Sequence, residues 1–172
     1  MNIAQIKMQD ITDGDGVRVG LYVSGCRRGC VNCQNKEAQD FAYGKLFSEE
    51  SAREIIGRSS LPYIRGISIL GGEPFEPENQ RVLVPFLERW HRDVRGKDVW
   101  CWTGAVLETQ LLKPSPWRCE VTDKFLALID YLVDGPYIDA QRNLTLKYRG
   151  SSNQRILKLH PTVEDISNME NE

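Results

Sequence analysis

Cys26, Cys30 and Cys33 lie within eight positions, in Cys26-Arg27-Arg28-Gly29-Cys30-Val31-Asn32-Cys33, with a three-residue gap and then a two-residue gap. Thiols gathered this closely and kept reduced bind metals or iron-sulfur clusters. Three thiolates hold three irons of a cubane and leave the fourth iron open, whereas electron-transfer clusters of the ferredoxin type take four cysteines. An open coordination position separates catalytic from structural zinc sites, and the same logic lets a fourth iron accept an exogenous ligand. The alternative is a structural zinc site completed by Cys101, Cys119, His91 or His160. Zinc modules favour short gaps in two separated pairs. On spacing alone both readings stand, with the open cluster the better match.

The elements around the loop form a repeating pattern. Val17 to Val23 alternates, is rich in β-branched and aromatic residues, and runs as a strand straight into Ser24-Gly25-Cys26. Ser48-Glu49-Glu50-Ser51 reads as an N-cap and acidic first turn for a helix near Ala52 to Arg58. Gly66 to Leu70 is a second strand, stopping at Gly71-Gly72-Glu73-Pro74. From Asn79 to Arg95, Val82, Leu83, Phe86, Leu87, Trp90 and Val94 have the spacing of one buried helix face. Lys97 to Gly104 is a third strand, with Trp100 and Trp102 on one face and Cys101, a small buried hydrophobe, on the other. Phe125 to Asp130 forms a short helix before Tyr131-Leu132-Val133-Asp134-Gly135.

Strands alternating with helices imply right-handed crossovers and a mainly parallel sheet. A closed eight-stranded barrel takes about 250 residues, so the expectation is an α/β fold with an open, curved sheet, a partial (β/α) barrel. In such sheets a ligand sits at the carboxyl ends of the strands. The cysteine loop, Gly71-Gly72 and Thr103-Gly104 all fall there. Read singly, Gly71-Gly72 is an ordinary turn, Thr103 a turn residue and Asp134-Gly135-Pro136 a capped turn. Arg149 to Gln154 is either a turn touching a ligand or partner, or a solvated hairpin. His91, in a charged helix, is expected at the surface.

The 172 residues fit a single domain, with 162–172 polar and acidic enough for a loose tail. Hydrophobic residues at 41% and charged residues at 27% are ordinary for a globular chain. A net charge of -2 offers no field for nucleic acid or anionic lipid. No apolar run approaches the roughly 18 residues of a membrane span, and Met1-Asn2-Ile3-Ala4-Gln5 lacks the order of a signal peptide. A cytoplasmic protein with free thiols is expected.

The C-x3-C-x2-C spacing resembles the cluster loop of the radical S-adenosylmethionine superfamily. More narrowly, the chain resembles the activating enzymes of anaerobic (class III) ribonucleoside-triphosphate reductase. The resemblance is carried by Asp13-Gly14-Asp15-Gly16-Val17-Arg18, Ser24-Gly25-Cys26, Gly71-Gly72-Glu73-Pro74, Lys97 to Gly104, Val133-Asp134-Gly135 and Arg149 to Gln154. These segments stand in the family order over roughly residues 1 to 155, more than a shared fold alone would give.

The resemblance implies one 4Fe-4S cluster on Cys26, Cys30 and Cys33, with S-adenosylmethionine chelating the open iron. Reductive cleavage then gives a 5'-deoxyadenosyl radical, which takes hydrogen from a glycine of the reductase large subunit. A flavodoxin or ferredoxin-type protein is the implied reductant. Gly71 and Gly72 would let backbone approach the methionyl ammonium, Glu73 would add a carboxylate acceptor, and Thr103 would reach the adenosyl group. Asn32, Cys33 and Gln34 would pass the adenine and ribose. The chain departs from the family where Asn32 replaces an expected glycine, Gln34 an expected tyrosine and Ala105 another tyrosine. Amides hydrogen-bond but do not stack on a purine as a tyrosine ring would. The rival functions are activation of a pyruvate formate-lyase-like protein, a small-molecule radical enzyme, or a non-catalytic zinc or iron-sulfur module.

Overall fold

A computed structural model describes residues 1–160. The stretch 162–172, expected as a tail, lies outside the described residues. Strands β1 (Asn2–Asp10), β2 (Arg18–Val23), β3 (Lys45–Leu46), β4 (Gly66–Gly71), β5 (Asp98–Trp102), β6 (Tyr131–Asp134) and β7 (Arg155–Lys158) form one sheet in the order β3-β1-β2-β4-β5-β6-β7. The centre, β2-β4-β5-β6, is parallel. The flanking pairs β3-β1, β1-β2 and β6-β7 are antiparallel. The sheet is therefore α/β, open and mixed, which corrects the expectation of a mainly parallel sheet at its edges. The short 11–17 loop can return β2 only antiparallel to β1, since a parallel return needs a crossover of a dozen residues or more.

Helices α1 (Glu49–Ser59), α2 (Pro77–Asp93) and α3 (Thr122–Leu126) supply the apolar side chains that cover one face. Onto that face alternation sends Val19, Leu21, Ile67, Ile69, Val99, Cys101 and Leu132, all fully buried, against Ile55, Leu83, Leu87, Trp90 and Phe125. Each such side chain contributes about 1.5–3 kcal/mol by leaving water. Ser48 caps α1, its Oγ accepting from Ser51 N at 3.2 Å, as the sequence indicates. Pro77 opens α2, two residues before the expected start. His91 is only partly buried and bonds the Leu128 carbonyl at 2.9 Å, so it helps dock α2 on the following segment.

The other face of the sheet carries Arg18, Tyr22, Ser68, Leu70, Trp100, Trp102 and Tyr131. Trp100 stacks on Trp102 and Tyr131 with ring centroids 5.7 and 4.7 Å apart, so the two tryptophans do share a face. Among the described residues no α-helix covers this side. The segment 135–154 crosses it instead, with Trp102 Nε1 donating to the Tyr148 carbonyl at 2.8 Å and Tyr148 lying edge-on to Trp100. Among the described residues no helix is long and apolar enough to cross a membrane.

Candidate functional site

The cysteine loop leaves β2 at Ser24 and is tied down from two directions. Ser24 N donates to Asn2 O, while Gly25 N and Cys26 N donate to Ala38 O and Gln39 O of a single 3₁₀ turn, Glu37–Gln39. Cys33 N closes a turn onto Cys30 O at 3.3 Å. Between them Asn32 has φ of 54°, the left-handed region in which glycine is easiest and asparagine the best of the rest. This is the conformation that the glycine expected there from the resemblance would serve. Here Asn32 adds a tether, its Nδ2 donating to Asp139 at 2.8 Å. Replacing Asn32 with valine should cost about 1–2 kcal/mol, the left-handed penalty for a side chain with a crowded Cβ, whereas Asn32→Gly should lose only the tether. Thermal unfolding of the two variants measures the difference.

Four parallel strands end beside this loop, and the turns that follow them interlock. Glu73 N donates to Gly25 O, Thr103 N to Val133 O and Gly135 N to Ala105 O. Gly71, at φ 111°, and Gly72 let backbone meet backbone. A Cβ on Gly72 would stand 2.6 Å from Gly25 O and 2.7 Å from Ala38 O, the two segments that hold the cysteines. Gly72→Ala should therefore reduce iron incorporation on reconstitution more than about tenfold, the lower end of what losing a supporting contact costs a metal site. Iron and sulfide assays against the parent read this directly.

Glu73 is buried to 1% exposure at the centre of these turns. Its Oε1 accepts from Phe75 N at 3.0 Å and Thr103 Oγ1 at 2.7 Å, and its Oε2 from Gly104 N at 3.0 Å and Arg28 Nε at 2.5 Å. A carboxylate offers about four lone-pair directions, and four protein donors fill them. Glu73 thus orders the strand ends, and Thr103, 4% exposed, spends its hydroxyl on it. Ala105 is fully buried next to them, its N–H donating to Thr103 Oγ1.

Cys26, Cys30 and Cys33 line a cleft of about 770 Å³ together with Arg28, Gln34, Gly71, Gly72, Glu73, Thr103 and Gly104. That size lies within the range of small-molecule sites, about 300–1,000 Å³. Segment 135–154 forms its far wall through Tyr137, Leu146, Tyr148, Arg149, Gly150 and Gln154. The turn from Arg149 is held by Gln154, whose Oε1 accepts from Gly150 N and whose Nε2 donates to Gly135 O. The cleft also runs down the open sheet face to Lys7, Asp13 and Tyr22. There Tyr22 Oη lies within hydrogen-bond reach of both Asp10 and Asp13, which share its one proton. Burial raises the Asp13 carboxyl, whereas at Asp10 the hydrogen bonds from Thr12 outweigh burial and hold it low.

All the expected site residues except Asn32 line this one cleft, Asn32 being turned instead to Asp139, and sequence reasoning missed Arg28, Trp102, Tyr137 and Tyr148. Only Arg28 carried a local signal, lying inside the three-residue gap. Cys101 is sealed in the core, and neither it nor Cys119, His91 or His160 lines the cleft. Among the described residues no three His, Cys, Asp or Glu side chains gather around one point as ligands of a single ion. A cubane differs in that it meets each sulfur with a separate iron. The donor set fits one: three thiols on a single loop, a cleft with room beside them, and the buried Arg28 Nη2 without a partner. Burial pushes the Cys26 thiol up to about 12, with Glu73 and Glu76 adding to the effect and Arg28 opposing it.

Residues 12–157 match the family model described as a 4Fe-4S single cluster domain. The chain is 35% identical to the anaerobic ribonucleoside-triphosphate reductase-activating protein of Haemophilus influenzae, over 91% of this chain and 97% of that one. The identity to the protein of that name from Escherichia coli K12 is also 35%, over 90% and 96%. The chain belongs to the anaerobic ribonucleoside-triphosphate reductase-activating protein family. The family reaches a virus, since the protein of that name from Enterobacteria phage T4 is 32% identical over 91% of this chain and 93% of its own.

Proposed function

We propose that this chain is an activating enzyme that installs a glycyl radical on the large subunit of an anaerobic ribonucleoside-triphosphate reductase. The observation that carries the reading is the placing of three thiols, unaccompanied by a fourth cysteine, on the wall of a cleft at the carboxyl ends of four parallel strands. Cys26, Cys30 and Cys33 would hold a 4Fe-4S cluster, and Gly71, Gly72, Thr103, Asn32, Cys33 and Gln34 would border S-adenosylmethionine, with Glu73 fixing the turns. When bound, cluster and cofactor together supply a one-electron cleavage of a carbon-sulfur bond and a carbon radical able to abstract hydrogen. The chain's own residues bind, orient and shield. The Gly71-Gly72 backbone brings its turn against the cysteine loop, and Gln34 offers its amide on the cleft wall while the Asn32 amide is tied to Asp139.

The open sheet, read as a partial barrel, would leave one side of the cleft free to admit a loop of another protein. Leu144, 83% exposed, lies on the wall of this cleft, and Val31, 73% exposed, lies between Cys30 and Asn32 in the cysteine loop, so an incoming protein loop would meet apolar as well as polar surface there. A flavodoxin or ferredoxin-type reductant in the cytoplasm would complete the system, and the net charge of -2 favours neither nucleic acid nor membrane as a partner. The test is anaerobic incubation of reconstituted protein, S-adenosylmethionine and reductant with candidate large subunits, followed by electron paramagnetic resonance. A glycyl radical on the reductase subunit and none on a pyruvate formate-lyase-like subunit is expected. The reverse pattern would move the chain to the rival activator class, and silence on both would remove the reading.

A further inference from the structure

Arg28 stands between the first two cysteines, yet its side chain is only 9% exposed. Three later segments build a socket for it. Its Nε donates to Glu73 Oε2 at 2.5 Å, its guanidinium lies 3.8 Å over the ring of Trp117, and Gly104 gives it passage, since a Cβ there would overlap the Arg28 Cδ. Burying a guanidinium is costly unless its N–H groups are satisfied. Here Nη2 is buried without a partner. Glu73 is the opposite case, because its charge is already shared among four donors. Arg28 and Glu73 both line the cleft beside Cys26, Cys30 and Cys33.

We infer that the buried Arg28–Glu73 pair sets the reduction potential of the cluster on the neighbouring cysteine loop, Arg28 raising it and Glu73 lowering it. The inference rests on the cluster assignment under Proposed function. Reduction adds one negative charge to the cluster, so a fixed cation nearby favours the reduced state and a fixed anion disfavours it. Both effects are strengthened by burial, where the effective dielectric is low. Net charge and N–H donors around the sulfurs are among the established determinants of iron-sulfur potentials. Trp117 and Gly104 act on neither charge. They keep Arg28 from swinging into solvent, where its field would be screened.

The two signs give a test that packing alone cannot mimic. The reconstituted parent, Arg28→Gln, Arg28→Lys and Glu73→Gln proteins are titrated anaerobically, the reduced cluster being followed by its paramagnetic signal, with iron and sulfide measured on each. Arg28→Gln should lower the potential, changing the reduced-to-oxidised ratio at fixed potential about tenfold, or about 59 mV for one electron. Glu73→Gln should raise it, and Arg28→Lys should stay near the parent. If Glu73→Gln fails to fold, the contrast of Arg28→Gln with Arg28→Lys decides alone. Equal potentials in all proteins, or Arg28→Gln and Glu73→Gln shifting in the same direction, would overturn the inference while leaving the cluster in place. A parent protein holding no iron and sulfide would instead remove the cluster assignment beneath it.

Discussion

Cys30→Ala protein is expected to keep its fold and to lose S-adenosylmethionine cleavage by well over about 100-fold, the most that removing an outer partner of a metal site ordinarily costs. Cys30 sits in the middle of the loop and is only half-buried. Its main-chain carbonyl, which anchors the Cys33 turn, survives the substitution. The anchoring of the loop to the 3₁₀ turn at 37–39 passes through Gly25 and Cys26 and is likewise untouched. Circular dichroism should therefore match the parent, while iron content and 5'-deoxyadenosine formation after reduction fall together. Cleavage at the parental rate would show that the trio is not the ligand set. A protein that had merely unfolded would lose its far-ultraviolet signal as well, which separates the two explanations.

The sequence exposed the chemistry because it is local. Three thiols within eight residues and a glycine pair after a strand are readable without a partner in space, and the strands around them alternate cleanly because one face packs on helices. The edges were harder. β1 carries apolar residues at Ile3, Ile6 and Met8, and its pairing with β2 shifts register between Ile3 and Gln5 and again between Lys7 and Asp10. Bulges of that kind erase the period of two on which a strand is recognised. β7 is mostly exposed and offers no buried alternation. The role of Glu73 was hidden for another reason. A carboxylate after Gly-Gly reads as a ligand acceptor, and only the fold brings Arg28, Thr103 and Gly104 from 45, 30 and 31 residues away to fill it. Asn32 is the reverse case. The resemblance leads one to expect glycine there, and the asparagine backbone adopts the conformation that a glycine would serve.

Arg18→Met should lower unfolding free energy by about 3–5 kcal/mol, the loss typical when one partner of a buried ion pair is removed. Arg18 is fully buried at the opposite end of the sheet from the cysteines. Its Nε donates to Ser68 Oγ at 2.8 Å, and its Nη2 to the carbonyls of Ile67 and Asp98 at 2.9 and 3.0 Å, so one side chain pins β2, β4 and β5. Asp98 Oδ1 approaches at 2.5 Å as an ion pair without the alignment of a hydrogen bond. Methionine would fill the space but leave Asp98 to Arg65, 3.5 Å away and partly in solvent. A melting temperature lower by about 6–20 °C follows for a chain of this size. Adding Asp98→Asn should restore part of the loss, because the cost lies in the stranded carboxylate more than in the missing attraction. A double variant no more stable than the single one would show that Arg18 acts through its carbonyl contacts instead. In either case the variants that remain folded at the assay temperature should bind iron like the parent, because Arg18 lies outside the cleft lining. Stability and chemistry are thereby assigned to opposite ends of the same parallel strands, with the N-terminal ends closed by Arg18 and the C-terminal ends open around Glu73.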